Sequence, residues 1–389
     1  MSHYQRRAHD ASPVTWASSE VWPKIRSGHV VHPPARNLCY RDRVLLVNAA
    51  GRYRNKTRRR SQSFGGRQVE RCGSTNARTR RGSKTGASGA ADDGAGLRLG
   101  YACVNTQLPS AARTLRLANV TPERLRELIA ANLDALATIL RWNVAKAIRV
   151  FRLTSNLIPF ASHPANELAW WEEFADPFAA LGSLLRNDEV SVSTHPGQYT
   201  VLSSAQPHVV AAAVAELEYH ARLFEVMGLD ESAKIVLHVG SGAADPAETR
   251  QRFAAGFMVL SAAARARLTL ENDERWPLDS VLELAAPLGI PVVFDAFHHA
   301  LAPSHDELTV REATLAARAT WGPQDGRQEV HFSTQEPGKR PGAHAETIDD
   351  EAFLAFFGAI GDLPLDCILE VKDKERSVLR ARELLGASV

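Results

Sequence analysis

Cysteine is scarce in this 389-residue chain, and the four present, Cys39, Cys72, Cys103 and Cys367, show no C-x-x-C spacing. That scarcity excludes a disulfide framework and a thiolate zinc site, and it fits a reducing, cytoplasmic setting. Long apolar runs are missing as well. No stretch approaches the ~18 residues that a membrane helix needs, and the N-terminus lacks the apolar core of a secretion signal. Acidic residues are nearly absent from one region only: residues 1–96 hold 19 Lys and Arg against 6 Asp and Glu, whereas residues 97–389 hold 27 against 38. The formal net charge of +2 therefore describes neither part.

The two parts read as separate objects, an extension over 1–96 and a domain over 97–389. Between Gly51 and Gly96 the chain is rich in Arg, Gly, Ser and Thr, with basic knots at Arg58–Arg60 and Arg80-Arg81 and little apolar periodicity. Such a segment cannot bury enough apolar surface to offset the entropy of ordering, so a disordered basic extension is expected. Three readings of it stand open. It can add sequence-independent phosphate affinity, it can be an extension without a selected role, or it can be a targeting segment, although it lacks a clear amphipathic helix.

From Leu97 onward the pattern is regular. Short runs rich in Val, Ile, Leu and Phe predict strands over 97–102, 147–151, 190–194, 234–239, 267–271, 291–295, 328–333 and 366–371. Amphipathic stretches over 122–141, 207–227, 246–265, 277–287 and 349–358 predict helices, with Pro122 and Pro246 where a first helical turn tolerates proline. Eight strands alternating with helices argue for an α/β fold, a single (β/α)8 TIM barrel.

Metal-binding side chains fall at the ends of these runs. Val190–Thr194 delivers His195, Lys234–Leu237 delivers His238, and Arg267–Leu270 delivers Glu271. Pro291–Phe294 delivers Asp295 with His298 just after, Gln328–Val330 delivers His331, and Cys367–Leu369 delivers Glu370. A single histidine after a strand is ordinarily a hydrogen-bonded loop residue. Six successive strand ends are different, because a TIM barrel builds its active site at the C-terminal ends of its strands. Glu271, Asp295, Glu329 and Glu370 around one mouth would repel each other, and cations are the economical remedy. A His and carboxylate set without thiolate suits Mn²⁺, Zn²⁺ or Mg²⁺, and the number of candidates calls for more than one ion.

Several segments carry a resemblance. Leu99-Gly100-Tyr101, Phe151-Arg152-Leu153-Thr154-Ser155-Asn156, His195-Pro196-Gly197-Gln198-Tyr199, Leu237-His238-Val239-Gly240, Leu270-Glu271-Asn272-Asp273, Phe294-Asp295-Ala296-Phe297-His298-His299, His331-Phe332-Ser333 and Leu369-Glu370-Val371-Lys372 resemble, in the same order, the UV damage endonuclease family. They span roughly Leu97 to Glu375 and leave the basic extension uncovered. The resemblance implies a TIM barrel related to the apurinic endonuclease with three metals. The implied activity is a nick in double-stranded DNA immediately 5′ to a UV photoproduct, whether a cyclobutane pyrimidine dimer or a 6-4 photoproduct, leaving a 3′-hydroxyl and a 5′-phosphate. The implied cofactors are three divalent ions, manganese before zinc or magnesium, in a monomer without a membrane partner.

Carried over position by position, the resemblance makes His195, His238, Glu271, Asp295, His298, His331, His344 and Glu370 metal ligands, with Glu271 bridging. It places His163, in Ser162-His163-Pro164, beside the metals in a catalytic role. Glu329 departs from the pattern, since some relatives have there a lysine that is carboxylated so that it can ligate metal. A glutamate keeps the end group on a shorter arm, and Glu329 is expected to serve as a ligand with a part in catalysis. Gln198 and Tyr199 match a pair that fills the gap left when the damaged dinucleotide leaves the stack; from the residues alone, Tyr199 reads equally as a cap on the barrel core. Tyr101 is expected to line the lesion pocket. Asn105, Gln107, Arg152, Ser155, Asn156, Lys339 and Arg340 are candidates for phosphate or base-edge contacts. A xylose isomerase-like sugar isomerase shares such a barrel and metal face but has no use for Gln198-Tyr199 or Lys339-Arg340. A DNA-binding protein without enzymatic activity leaves the acidic cluster unexplained.

A chain beginning at Leu97 is expected to fold, to cut at the same bond and to bind DNA with a weaker salt dependence than the full chain. Circular dichroism and a salt titration check this; an unfolded truncation would show that the extension belongs to the barrel.

Overall fold

The computed structural model describes residues 96–240 and 245–386. The sequence readings of the basic extension thus lie outside the described residues, apart from Gly96. All eight expected strands form: β1 (Arg98–Ala102), β2 (Val150–Leu153), β3 (Ser191–Thr194), β4 (Lys234–His238), β5 (Leu268–Glu271), β6 (Val292–Asp295), β7 (Gln328–Phe332) and β8 (Leu365–Leu369). They pair in parallel, in chain order, and β8 returns to β1 through Leu99↔Cys367 and Gly100↔Ile368, so the sheet is a closed (β/α)8 barrel. Among the described residues no helix is long and apolar enough to cross a membrane.

The helices start where the sequence provides caps. Thr121 accepts from Arg124 N–H ahead of Pro122–Ala145, Asp245 accepts from Ala247 and Glu248 N–H ahead of Pro246–Val259, and Asp349 accepts from Ala352 N–H ahead of Asp350–Ile360. The helix expected over 246–265 is broken near Leu260, because Ser261 caps a second helix, Ala262–Arg267. The strand expected over 147–151 begins later. The helix Pro122–Ala145 runs longer than its apolar pattern, and Ala147 turns the chain with a left-handed φ of 53° before β2 starts. This shift puts Arg152 inside a strand.

Successive strand residues face opposite sides of the sheet. Tyr101, Phe151, Leu237, Leu270, Phe294 and Leu369 face outward into the main core under the helices, and all are buried. Each such side chain stabilises the fold by about 1.5–3 kcal/mol. Ala102, Val150 and Ile368 form a separate small cluster on the barrel axis. Below them, at the N-terminal ends of the strands, Arg98 makes a two-pronged pair with Asp366 at 2.7 Å and also donates to Ser191 Oγ at 2.5 Å. Lys234 Nζ donates to Asp325 at 2.6 Å. Arginines tie off helix ends at this face: Arg186 donates to the carbonyls of Met227 and Gly228, and Arg149 to that of Val144. A cavity of about 1600 Å³ opens here, but the cations around it are engaged, in these bonds or, for Arg327 and Arg382, with Asp366 and the carbonyl of Lys146. The candidate ligand groups gather at the other end.

Gly100 is required by the barrel wall, since a Cβ there would overlap the carbonyl of Val150 on the neighbouring strand. Gly100→Ala is expected to destabilise by about 3 kcal/mol, the upper range for overpacking, because backbone in a closed sheet has little room to yield. Thermal unfolding checks this, and an unchanged Tm would show that the wall is softer than its pairing implies.

Candidate metal centre at the C-terminal ends of the strands

Glu271, the last residue of β5, is the hub. Its Oε2 lies 2.9 Å from His195 Nε2 and 3.7 Å from His238 Nε2, and its Oε1 lies 2.7 Å from His331 Nδ1. The same His331 nitrogen is 3.8 Å from Asp295 Oδ2 and 3.5 Å from Glu370 Oε1. His344 Nε2 stands 3.8 Å from Glu370 Oε2, and the His298 ring packs edge-on against His238 and His344. The eight residues that the resemblance makes ligands thus converge on one place, with Glu329, the ninth named, at the far nitrogen of His331.

Local chemistry holds them there. Asp295 ends β6 and caps the following short helix, Ala296–Leu301; its Oδ1 accepts from His298 N–H at 2.6 Å, which fixes where His298 begins. Asn272, fully buried, accepts from Asp295 N–H at 2.9 Å and donates to Asp295 O at 3.0 Å, locking the ends of β5 and β6 together. Ser155 Oγ donates to His195 O at 2.6 Å.

The donor set fits divalent cations. Two groups, His195 with His238 and Glu271, and Glu271 with Asp295 and His331, each bring their ligand atoms within 4.8 Å of one another, and Glu271 belongs to both. Asp295 Oδ2 is buried and has no hydrogen-bond partner. The histidines offer one nitrogen to the centre while the other meets an acceptor, as metal-ligating imidazoles do. His195 Nδ1 lies 3.1 Å from Pro196 O, His344 Nδ1 2.9 Å from Glu370 O, and His331 Nε2 2.8 Å from Glu329 Oε1. His238 Nδ1 and His298 Nδ1 have carboxylates at 3.4 Å (Asp273) and 3.3 Å (Glu274), within ion-pair range but not aligned as hydrogen bonds. Asp273 and Glu274 had no role in the sequence reading, and no local pattern pairs them with His238 or His298.

Electrostatics at the centre are shared. Burial by itself would raise the Glu271 pKa, yet His331, His238 and His195 hold it far below the usual carboxylate range. Burial pushes Asp295 up to about 6, with His298 pulling the other way. Burial opposes charge on His331, but Glu271 and Glu370 overcome it, and its pKa is pushed up to about 10.

The other candidate residues occupy varied environments. Glu329 Oε1 sits 2.8 Å from Nε2 of His331, whereas Glu271, Asp295 and Glu370 gather at Nδ1, so Glu329 meets the histidine from its other side. Tyr101 is fully buried in the core and donates to Asn143 Oδ1 at 2.7 Å, and Asn105, on the loop after β1, is buried with its Nδ2 on the Tyr101 hydroxyl. Arg152 is buried beneath the mouth, against Glu370 and Glu329. Gln198, Asn156, Lys339 and Arg340 are exposed, and Tyr199 is 83 % exposed, which rules out its capping the core. Gln107 donates to Glu375. His163 is exposed on the loop after β2, with its Nδ1 accepting from Ala165 N–H at 3.0 Å, so its hydrogen is on Nε2. His299 packs on Phe294 and bonds to Leu308 O, outside the ligand set.

A closed parallel barrel with histidines and carboxylates gathered at the C-terminal ends of its strands is the architecture of a TIM-barrel enzyme. The family described as UV-endonuclease UvdE matches residues 97–387, and the chain belongs to it. The UV DNA damage endonuclease of Clostridium perfringens (strain 13 / Type A) is 35% identical over 289 residues, covering 73% of this chain and 69% of that protein. That of Bacillus cereus (strain G9842) is 30% identical over 268 residues, covering 68% and 84%. The crystal structure of SacUVDE superposes with a TM-score of 0.71 at 36% identity, over 75% of this chain and 98% of that one.

Protons must leave when cations enter. With its pKa near 10, His331 carries a proton at neutral pH, and Nδ1 can bind metal only after losing it. Mn²⁺ binding is therefore expected to release about one proton per chain at pH 7.5, to tighten as pH rises, and to weaken further below about 6, where Asp295 becomes protonated. Calorimetry in buffers of different ionisation enthalpy measures this; binding without proton release would contradict the His331 assignment.

Proposed function

We propose that this chain is a metal-dependent DNA repair endonuclease, a hydrolase that nicks double-stranded DNA immediately 5′ to cyclobutane pyrimidine dimers and 6-4 photoproducts, leaving a 3′-hydroxyl and a 5′-phosphate. The observation that carries the reading is Glu271, shared by two ligand groups at the barrel mouth of a chain from the UV-endonuclease family. His195, His238, Glu271, Asp295, His298, His331, His344 and Glu370 would hold three divalent ions, manganese foremost, with zinc or magnesium as substitutes. When bound, such ions polarise a phosphodiester and offset charge on its attacking and leaving oxygens.

The chain's own residues do the rest. Glu271 spans the two groups and keeps its charge because three histidines surround it. His163 presents Nε2–H on the rim and acts as a proton donor or hydrogen-bond donor to the reacting phosphate. Gln198 and Tyr199 enter the duplex where pairing is already weakened and fill the gap that the lesion leaves, so one enzyme can accept chemically different lesions. Exposed Lys339 and Arg340 hold backbone phosphates and Asn156 adds a polar contact, local attractions that oppose the acidic balance of the barrel. The reading includes action as a monomer in the cytoplasm.

The test is relaxation of supercoiled plasmid, irradiated or not, with Mn²⁺ or chelator. Nicking is expected only with both irradiation and metal. Glu271→Ala should reduce it at least about 100-fold and lower bound metal, since the hub joins both groups; Gln198→Ala with Tyr199→Ala should lose lesion discrimination at unchanged metal content. Near-normal nicking by the Glu271 variant would remove the basis of the proposal.

A further inference from the structure

Arg152 is the one long cation that β2 sends toward the barrel axis. Its register partners are small, Ala102 on β1 and Ser193 on β3, and their size leaves the space that the guanidinium fills. The residue is only 4% exposed. Nη1 donates to Glu370 Oε1, and Nη2 lies 3.4 Å from Glu329 Oε1 and 2.5 Å from His331 Nε2. His331 Nε2 thus lies between the guanidinium and Glu329: without its hydrogen it accepts from Arg152, and when it carries the hydrogen it donates to Glu329 and the guanidinium has to draw back. Burial opposes the charge on Arg152, yet Glu370, Glu329 and Glu271 hold its pKa above the ordinary arginine range.

We propose that Arg152 is a positioning residue, a permanent cation beneath the metal centre that lets the buried carboxylates assemble before metal arrives. Three buried carboxylates and a fourth that is half-buried cannot all stay charged side by side without compensation. Arg152 provides it from below, and in doing so it turns Glu370 so that Oε1 faces His331 and Oε2 faces His344. Glu329, held between Arg152 and His331, orients that histidine from behind. The inference rests on the metal-centre reading: divalent ions held by Glu370 and its neighbours would neutralise the carboxylate, and the guanidinium would then matter less to stability. Its contribution is therefore largest in the metal-free protein.

Thermal unfolding of the full chain tests this, with chelator and with saturating Mn²⁺. Arg152→Met is expected to lower the Tm of the chelated protein by about 10 °C and that of the Mn²⁺-loaded protein by less than half as much. Adding Glu370→Gln to Arg152→Met should recover much of the loss, because the stranded charge is gone, and Arg152→Lys should fall between wild type and Arg152→Met. Equal losses with and without Mn²⁺, or no recovery in the double variant, would show that Arg152 only fills space. If Arg152→Met does not fold in chelator, a double variant that folds supports the proposal and one that fails overturns it. A wild-type Tm indifferent to Mn²⁺ would instead count against the metal-centre reading.

Discussion

Mutual repulsion among Glu271, Asp295, Glu329 and Glu370 is the constraint around which this barrel is arranged. Glu271, Asp295 and Glu329 are buried and Glu370 is half-buried beside them, so water screens them poorly. The fold answers with positive partners at fixed heights. His195, His238 and His331 face Glu271 directly, and Arg152 lies beneath Glu370 and Glu329. The shifts differ because these partners are unevenly placed: Glu271 is held far below the usual range, while Asp295, with Oδ2 left unpartnered, rises toward neutrality. The imbalance is concentrated where a cation would sit.

Much of this was legible in the sequence because a TIM barrel places its chemistry where each apolar run stops. A run of β-branched and aliphatic residues ending in His, Glu or Asp marks both a strand and the atom it delivers, and every run from β3 to β8 did so. Glu329 and His331, two apart, had to share a face of β7, and they do. Which nitrogen of His331 each neighbour meets was not legible, since that depends on the rotation of the ring. The side from which Glu329 meets that histidine is set at that step.

Other misreadings have the same geometric origin. In β1, Gly100 and Ala102 face the axis while Leu99 and Tyr101 face the helices; an aromatic one residue before the strand end can belong to either side, and its parity is set only by closure of the barrel. Arg152 escaped because β2 spans four residues and starts late, so the charge that reads as the end of a run is in fact inside the strand. Asp273 and Glu274 were hidden because they support histidines on β4 and after β6, and nothing in local sequence connects those positions.

Asp295 shows how closely folding and chemistry are tied at this mouth. One oxygen of its carboxylate begins a helix and the other is turned to the ligand group, so the residue is at once a structural terminus and a chemical one. Asparagine would preserve the cap and discard the charge, whereas alanine would lose both. A designer wishing to retune the metal preference of this centre therefore has less freedom at β6 than at β3 or β4, where the ligand does not also cap a helix. The least replaceable position need not be the hub; it is the side chain that holds two offices.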